Sequence, residues 1–270
     1  MPYTTGRLIP RAALAALLLA ALARPAHAQT TPAIAPAPAT PDFMSRYDFH
    51  LSAAAVSVND PRFSWEAHFG GDIDVADYIV GRSSILVDYE AVLGDEFRPF
   101  DPNQGNYTLE ASSSARLSDT EVAVVFHHVS RHLSDRPKRF AIAWNILGVR
   151  VLRRVAIQGF TIDAVATGGK VVQNSYVDYT WTGDLDLMIR HSVTPRLGVF
   201  AHGFGNAFLV DQTIAHRDRQ LGGTVEVGVR INGRAGALEL FAGAETRVDA
   251  DPIDRIARRW ALAGFRLVSK

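Results

Sequence analysis

Apolar and polar residues alternate along most of this chain. In segment 63–75, Phe63, Trp65, Ala67, Phe69, Gly71, Ile73 and Val75 form one set. Ser64, Glu66, His68, Gly70, Asp72 and Asp74 form the other. Successive side chains of a strand point to opposite faces, so the segment reads as a strand with one apolar and one charged face. Segment 177–190 repeats the pattern, with Tyr179, Trp181, Leu185 and Leu187 against Asp178, Asp184, Asp186 and Arg190. Val225, Val227 and Val229 against Thr224, Glu226 and Arg230 repeat it again. Strands are predicted at 45–57, 62–75, 84–94, 106–117, 121–131, 139–151, 155–166, 177–191, 196–210, 220–231, 237–248 and 259–269. Globular strands average about five or six residues, whereas a tilted membrane-spanning strand needs roughly nine to eleven. The lengths therefore predict an all-β fold, an antiparallel transmembrane β-barrel of about 12 strands.

The connections carry a second signal. Barrels of the outer membrane have short periplasmic turns and longer external loops. With the N-terminus inside, segments 118–120, 152–154, 192–195 and 232–236 fall where short turns belong. Segments 95–105, 132–138, 167–176, 211–219 and 249–258 fall where long loops belong. Segments 58–61 and 76–83 break the alternation. A soluble periplasmic binding barrel also alternates, with its apolar face turned inward, and the pattern alone does not orient the faces. Strand length and aromatic residues near strand ends (Phe63, Trp65, Tyr179, Trp181 and Trp260) favour the membrane. The charged face then lines the lumen, with Arg46, Asp48, His50, Glu66, Asp88, Glu110, Asp184, Glu226, Glu239 and Arg266 among its residues.

The N-terminus agrees with export. Arg7 and Arg11 precede an Ala/Leu run over 12–23, and Ala26-His27-Ala28 follows as a cleavage site. The run is shorter than the roughly twenty residues of a spanning helix. The expected division is a signal peptide over 1–28, a flexible Pro/Ala/Thr leader over 29–42 and a barrel domain over 43–270. This is the layout of a Gram-negative outer-membrane protein. Lys plus Arg number 28 and Asp plus Glu number 28, so no basic excess points to nucleic acid. There is no cysteine, which excludes disulfides and acylation on Cys.

One segment carries candidate chemistry: His127-His128-Val129-Ser130-Arg131-His132-Leu133-Ser134-Asp135-Arg136. On a strand His128, Ser130 and His132 share a face, and a hydroxyl beside imidazole is the raw material of nucleophilic catalysis. The strand ends at the outer rim, where an enzyme acting on lipid would work. His-x-Ser on a barrel strand resembles the lipid A 3-O-deacylase family, which implies His128 and Ser130 as catalytic residues with a downstream acid. The predicted next strand has no acid, and Asp135 is the nearest. The wider His128-x-Ser130-x-His132-Leu133-x-Asp135 run is similar to uncharacterised outer-membrane barrel families with a His-x-Ser-Ser-His-Leu-Gly-Asp segment. That resemblance implies fold and location.

Around this segment His132, Arg131, Arg136 and Lys138 are candidate ligand contacts, with lipopolysaccharide phosphates as the partner they would suit. His128, His132 and Asp135 lack a fourth ligand, so no metal and no cofactor is expected. The functional expectation is a structural or porin-like, small-solute-passing outer-membrane protein in contact with outer-membrane lipid. A lipid-directed acyl hydrolase using Ser130 and His128 is the first alternative, and the soluble periplasmic binding barrel the second.

Overall fold

The computed structural model describes residues 37–134, 136 and 138–269. The expected signal segment, most of the leader and Asp135 lie outside the described residues. Twelve strands follow in order: β1 (Asp42–Ser57), β2 (Trp65–Asp77), β3 (Arg82–Gly94), β4 (Asp101–Leu117), β5 (Thr120–Leu133), β6 (Ile142–Ile157), β7 (Phe160–Ser175), β8 (Tyr179–Ser192), β9 (Leu197–Val210), β10 (Gln220–Asn232), β11 (Gly236–Arg247) and β12 (Arg258–Ser269). Each pairs antiparallel with its neighbours in sequence, and β1 pairs with β12, so the sheet closes into a barrel.

Burial settles which face is inside. On β1 His50 and Ser52 are buried, while Tyr47, Phe49 and Leu51 are exposed. On β2 Glu66, His68, Asp72 and Asp74 are buried, and Phe69 and Ile73 are exposed. On β10 Glu226 is 4% exposed and Val227 64%. Charges inside an apolar exterior invert the arrangement that water selects. Such a surface needs hydrocarbon around it, which removes the soluble-barrel alternative.

The connections sort into two ends. Turns 78–81, 118–119, 158–159, 193–196 and 233–235 lie at one, here the turn end. Loops 58–64, 95–100, 134–141, 211–219 and 248–257 lie at the other, the loop end, with the short connection 176–178 as the exception. The two expected breaks in the alternation vanish. Segment 76–83 tightens to 78–81, where the Tyr78 N–H donates to Gly81 O at 3.0 Å. Segment 58–61 lengthens to 58–64 because Phe63 tucks inward, 3% exposed.

Two expected connections are strand. Residues 152–154 continue β6, and the chain reverses at Gln158-Gly159 instead. Both have positive φ, 49° and 82°, as a two-residue type I′ hairpin requires. β7 then runs through most of 167–176, which the sequence had suggested as a loop.

The expected aromatic girdle is also corrected. Trp181 is 49% exposed on the outside, but Phe63, Tyr179 and Trp260 are buried in the lumen. Trp260 donates to Glu245 at 3.0 Å and carries Arg247 over its ring. Tyr179 is turned inward by the register shift between Tyr179 and Trp181. The outward aromatics include Phe43, Tyr47 and Phe160 toward the turn end and Phe100, Tyr107 and Phe140 toward the loop end.

The lumen is filled by paired charges. Arg266 reaches Glu226 at 2.9 Å and Glu239 at 3.1 Å. Arg247 reaches Glu66, Glu90 and Glu245 at 2.5, 2.7 and 2.8 Å. Arg46 joins Asp48, Asp72 and Asp74, and Arg82 joins Asp74 and Glu121. Buried charges are tolerated because each of these cations meets one or more carboxylates. Around Arg46, Arg82, Glu110 and Arg150 the free volume shrinks to about 20 Å³.

Candidate functional site

The side chains of β5 divide by parity. Glu121, Ala123, Val125, His127, Val129 and Arg131 face the lumen, and Val124, Phe126, His128, Ser130 and His132 face outward. The candidate His and Ser residues therefore sit on the lipid side. Register brings partners to them. His128 stands opposite Asn145 on β6, and Asn145 opposite Gln173 on β7. His128 Nδ1 and Asn145 Oδ1 are 2.6 Å apart. Asn145 Nδ2 donates to Gln173 Oε1 at 2.9 Å. Ser130 Oγ lies 3.0 Å from His132 Nε2. Tyr107, opposite Ser130, meets the His132 ring edge-on at 5.3 Å.

This network fixes protons. Because the Asn145 amide nitrogen is committed to Gln173, its oxygen faces His128 and takes the Nδ1 hydrogen. His128 Nε2 is then the acceptor, the tautomer a general base needs. Ser130 lies between two imidazoles on one face. It is bonded to His132.

Depth places the array at a boundary. At about 3.3 Å rise per residue and a tilt of about 40°, a 14-residue strand such as β5 spans roughly 35 Å along the barrel axis. The apolar band of such barrels is about 25 Å tall. Ser130 lies three residues before Leu133, where β5 ends, which is about 8 Å below the strand end. With the band centred on the strand, its edge lies about 5 Å below the strand end, so Ser130 sits about 3 Å and His128 about 8 Å inside it. An unsatisfied polar group in hydrocarbon costs several kcal/mol. On the lipid face two short networks satisfy these polar groups, His128–Asn145–Gln173 and Ser130–His132.

The other sequence candidates are placed elsewhere. Arg131 points inward and donates to Asp249 O at 2.6 Å, Ala250 O at 3.0 Å and Gln104 Oε1 at 2.8 Å. Arg136 pairs with Asp251 at 2.6 Å. Lys138 Nζ donates to Arg131 O at 2.9 Å. These residues latch loop 248–257 over the loop-end mouth, where Asp249, Ala250 and Asp251 are buried. Burial pushes the Asp249 carboxyl up, but hydrogen bonds from Arg217 and Tyr179 outweigh it and hold the group below the usual carboxylate range. Asp251 is likewise held down: the Ile253 N–H and the Arg136 and Arg62 guanidinium groups outweigh its burial.

Asn145 was not among the sequence candidates. The signal was one polar residue in the otherwise apolar set Ala143, Leu147, Val149 and Val151.

Solved structures give the comparison that the site invites. Escherichia coli outer membrane phospholipase A matches with a TM-score of 0.51 at 11% identity, over 83% of this chain and 92% of that one. The fold is that of bacterial outer-membrane β-barrels. An active-site mutant of the same phospholipase, with an asparagine replaced by alanine, matches at 0.51 and 12% identity over 84% and 91% of the two chains. The Salmonella typhi outer membrane phospholipase dimer with bound calcium matches at 0.50 and 12%, over 83% and 90%. No family model and no curated protein sequence matches this outer-membrane barrel.

Proposed function

We propose that this barrel is an acyl-ester hydrolase acting on membrane lipid, with Ser130 as nucleophile, His128 as general base and Asn145 holding His128. The observation that carries the reading is the 2.6 Å bond between His128 Nδ1 and Asn145 Oδ1 on the lipid-facing surface. Ser130 Oγ attacks the ester carbonyl carbon and its proton passes to His128 Nε2. The tetrahedral adduct collapses, and the alcohol of the lysolipid leaves with that proton. Water then attacks the acyl-serine, giving its proton to His128, which passes it to Ser130 Oγ as the serine–acyl bond breaks and the fatty acid leaves. The likeness to outer-membrane phospholipases is compatible with this chemistry, although at this identity it speaks for the fold. Passage of solutes is the weaker reading, because paired charges crowd the lumen.

The test is hydrolysis of a phospholipid in mixed micelles by the refolded barrel, with covalent capture by a sulfonyl fluoride. Capture at Ser130 and loss of turnover in His128→Ala, with turnover kept in His132→Ala, are the expected results. The reverse pattern for the two histidines makes His132 the base and removes Asn145 from the mechanism. No turnover and no capture leave a structural barrel.

A further inference from the structure

Beneath the latch of loop 248–257 the lumen opens into a cavity of about 110 Å³. Its walls carry the aromatic rings of Trp144, Tyr179, Phe204 and Phe208 among mostly polar residues, Thr182, Asp184 and Asn206 included. Arg131 and Arg247 are also at the wall, engaged with Gln104 and loop 248–257 or with glutamates. Tyr179 stacks on Phe208 at 4.4 Å and meets Trp144 edge-on at 5.4 Å. The carboxylates Asp88, Glu90 and Glu245 at this cavity are paired, with His50 and His68 or with Arg247.

Asp184 differs. It forms no hydrogen bond or ion pair among the described residues, although it faces the lumen between Thr167 and Asn206 in register. The nearest cations are committed elsewhere. Arg150 holds Glu110 at 2.5 Å and His127 holds it at 3.0 Å. An ionised carboxylate in a protein interior is costly unless a cation or donor meets it. Aromatic faces beside a carboxylate form the surroundings that stabilise an ammonium ion.

We infer that this cavity binds a small primary alkylammonium ion, its nitrogen on Asp184 and its carbon chain against Phe204, Phe208 and Trp144. The size agrees: a cavity of about 150 Å³ accepts benzene, so this one suits a molecule of about four or five heavy atoms. Entry requires the latch to open, because Arg131 and Tyr179 tie the wall of the cavity to Asp249. The site is separate from the lipid-facing array, and its fate does not depend on the hydrolase reading.

Calorimetry on the full barrel in detergent tests it, with n-butylammonium chloride as ligand and n-butanol and sodium butyrate as controls. Saturable 1:1 binding of butylammonium is expected, at least tenfold tighter than butanol, with none for butyrate. Asp184→Asn should weaken binding at least tenfold, with folding checked by heat-modifiability on a gel. Phe208→Ala keeps the charge and should weaken it at least threefold, which covers the case of a misfolded Asp184 variant. Absence of saturable butylammonium binding, equal binding of butanol, or wild-type affinity in both variants overturns the inference.

Discussion

Histidines inside and outside this barrel are held in opposite ways. His202 sits in the lumen between Asp186 at 3.0 Å and Glu226 at 3.4 Å, fully enclosed. His50 and His68 share Asp88 at 2.7 and 3.0 Å. These imidazoles are clamped by carboxylates and have nowhere to pass a proton. His128 on the lipid face is held by a neutral amide on Nδ1, with no carboxylate beside it in any described contact. The lumen uses titratable groups as mortar, whereas the outer wall holds one by an amide alone, as the proposed hydrolase requires. Burial, more than residue type, separates the two roles.

The contrast can be broken in four places. The largest effect belongs to Ser130→Ala, which should lower ester hydrolysis at least about ten-thousandfold, as loss of a serine nucleophile does. Heat-modifiability should be unchanged, and a loss of folding would mean that the outer array is structural. Next, Arg266→Met leaves buried Glu226 with only His202 and buried Glu239 with only Arg230. Removing one partner of a buried pair costs about 3–5 kcal/mol. Urea unfolding in detergent should show that loss, with turnover per folded molecule preserved.

Asn145→Ala should lower kcat about a hundredfold with little change in KM, because the base keeps its place but loses its orientation. A large KM change with kcat intact would make Asn145 a lipid contact. The smallest effect is on the latch. Asp249 and Asp251 are held below their unfolded values, so the stability they add is present above the unfolded pKa and is lost as pH falls through the folded one. Acidification below about 4, the ordinary Asp value, should therefore raise hydrogen exchange in 248–257, corrected for intrinsic rate, before it affects the strands. Unchanged protection there would show that the backbone contacts of Arg131 hold the loop alone.

The strand count and most boundaries were legible because alternation runs through most of each strand, although it fails at local shifts such as that between Tyr179 and Trp181. The inward face was not legible, since the same alternation serves water outside or lipid outside. The β6–β7 hairpin was misplaced because Arg153-Arg154 looks like a polar turn, whereas the backbone reverses where Gln158-Gly159 accepts positive φ. The site was half visible. His128 and Ser130 announce themselves two residues apart. Asn145 lies on the next strand and joins them only through the β5–β6 register, which the loop over 134–141 decides. Arg131 and Arg136 looked like rim cations because parity assigns a face but not the loop that folds back onto it.

The seam of the barrel has a consequence for how the molecule is made. β1 meets β12 from His50 and Val268 to Ser57 and Ala261, so the stretch from Asp42 to Phe49 pairs only with β2. Closing the ring is the most non-local pairing in the chain, and it comes after nearly all of the sequence has been synthesised. Until then the sheet is an open ribbon with two unsatisfied borders, which lipid cannot tolerate. A chain cut short by even part of β12 should therefore not give a smaller barrel. It should fail to insert, so β12 acts as the clasp on which the whole assembly waits.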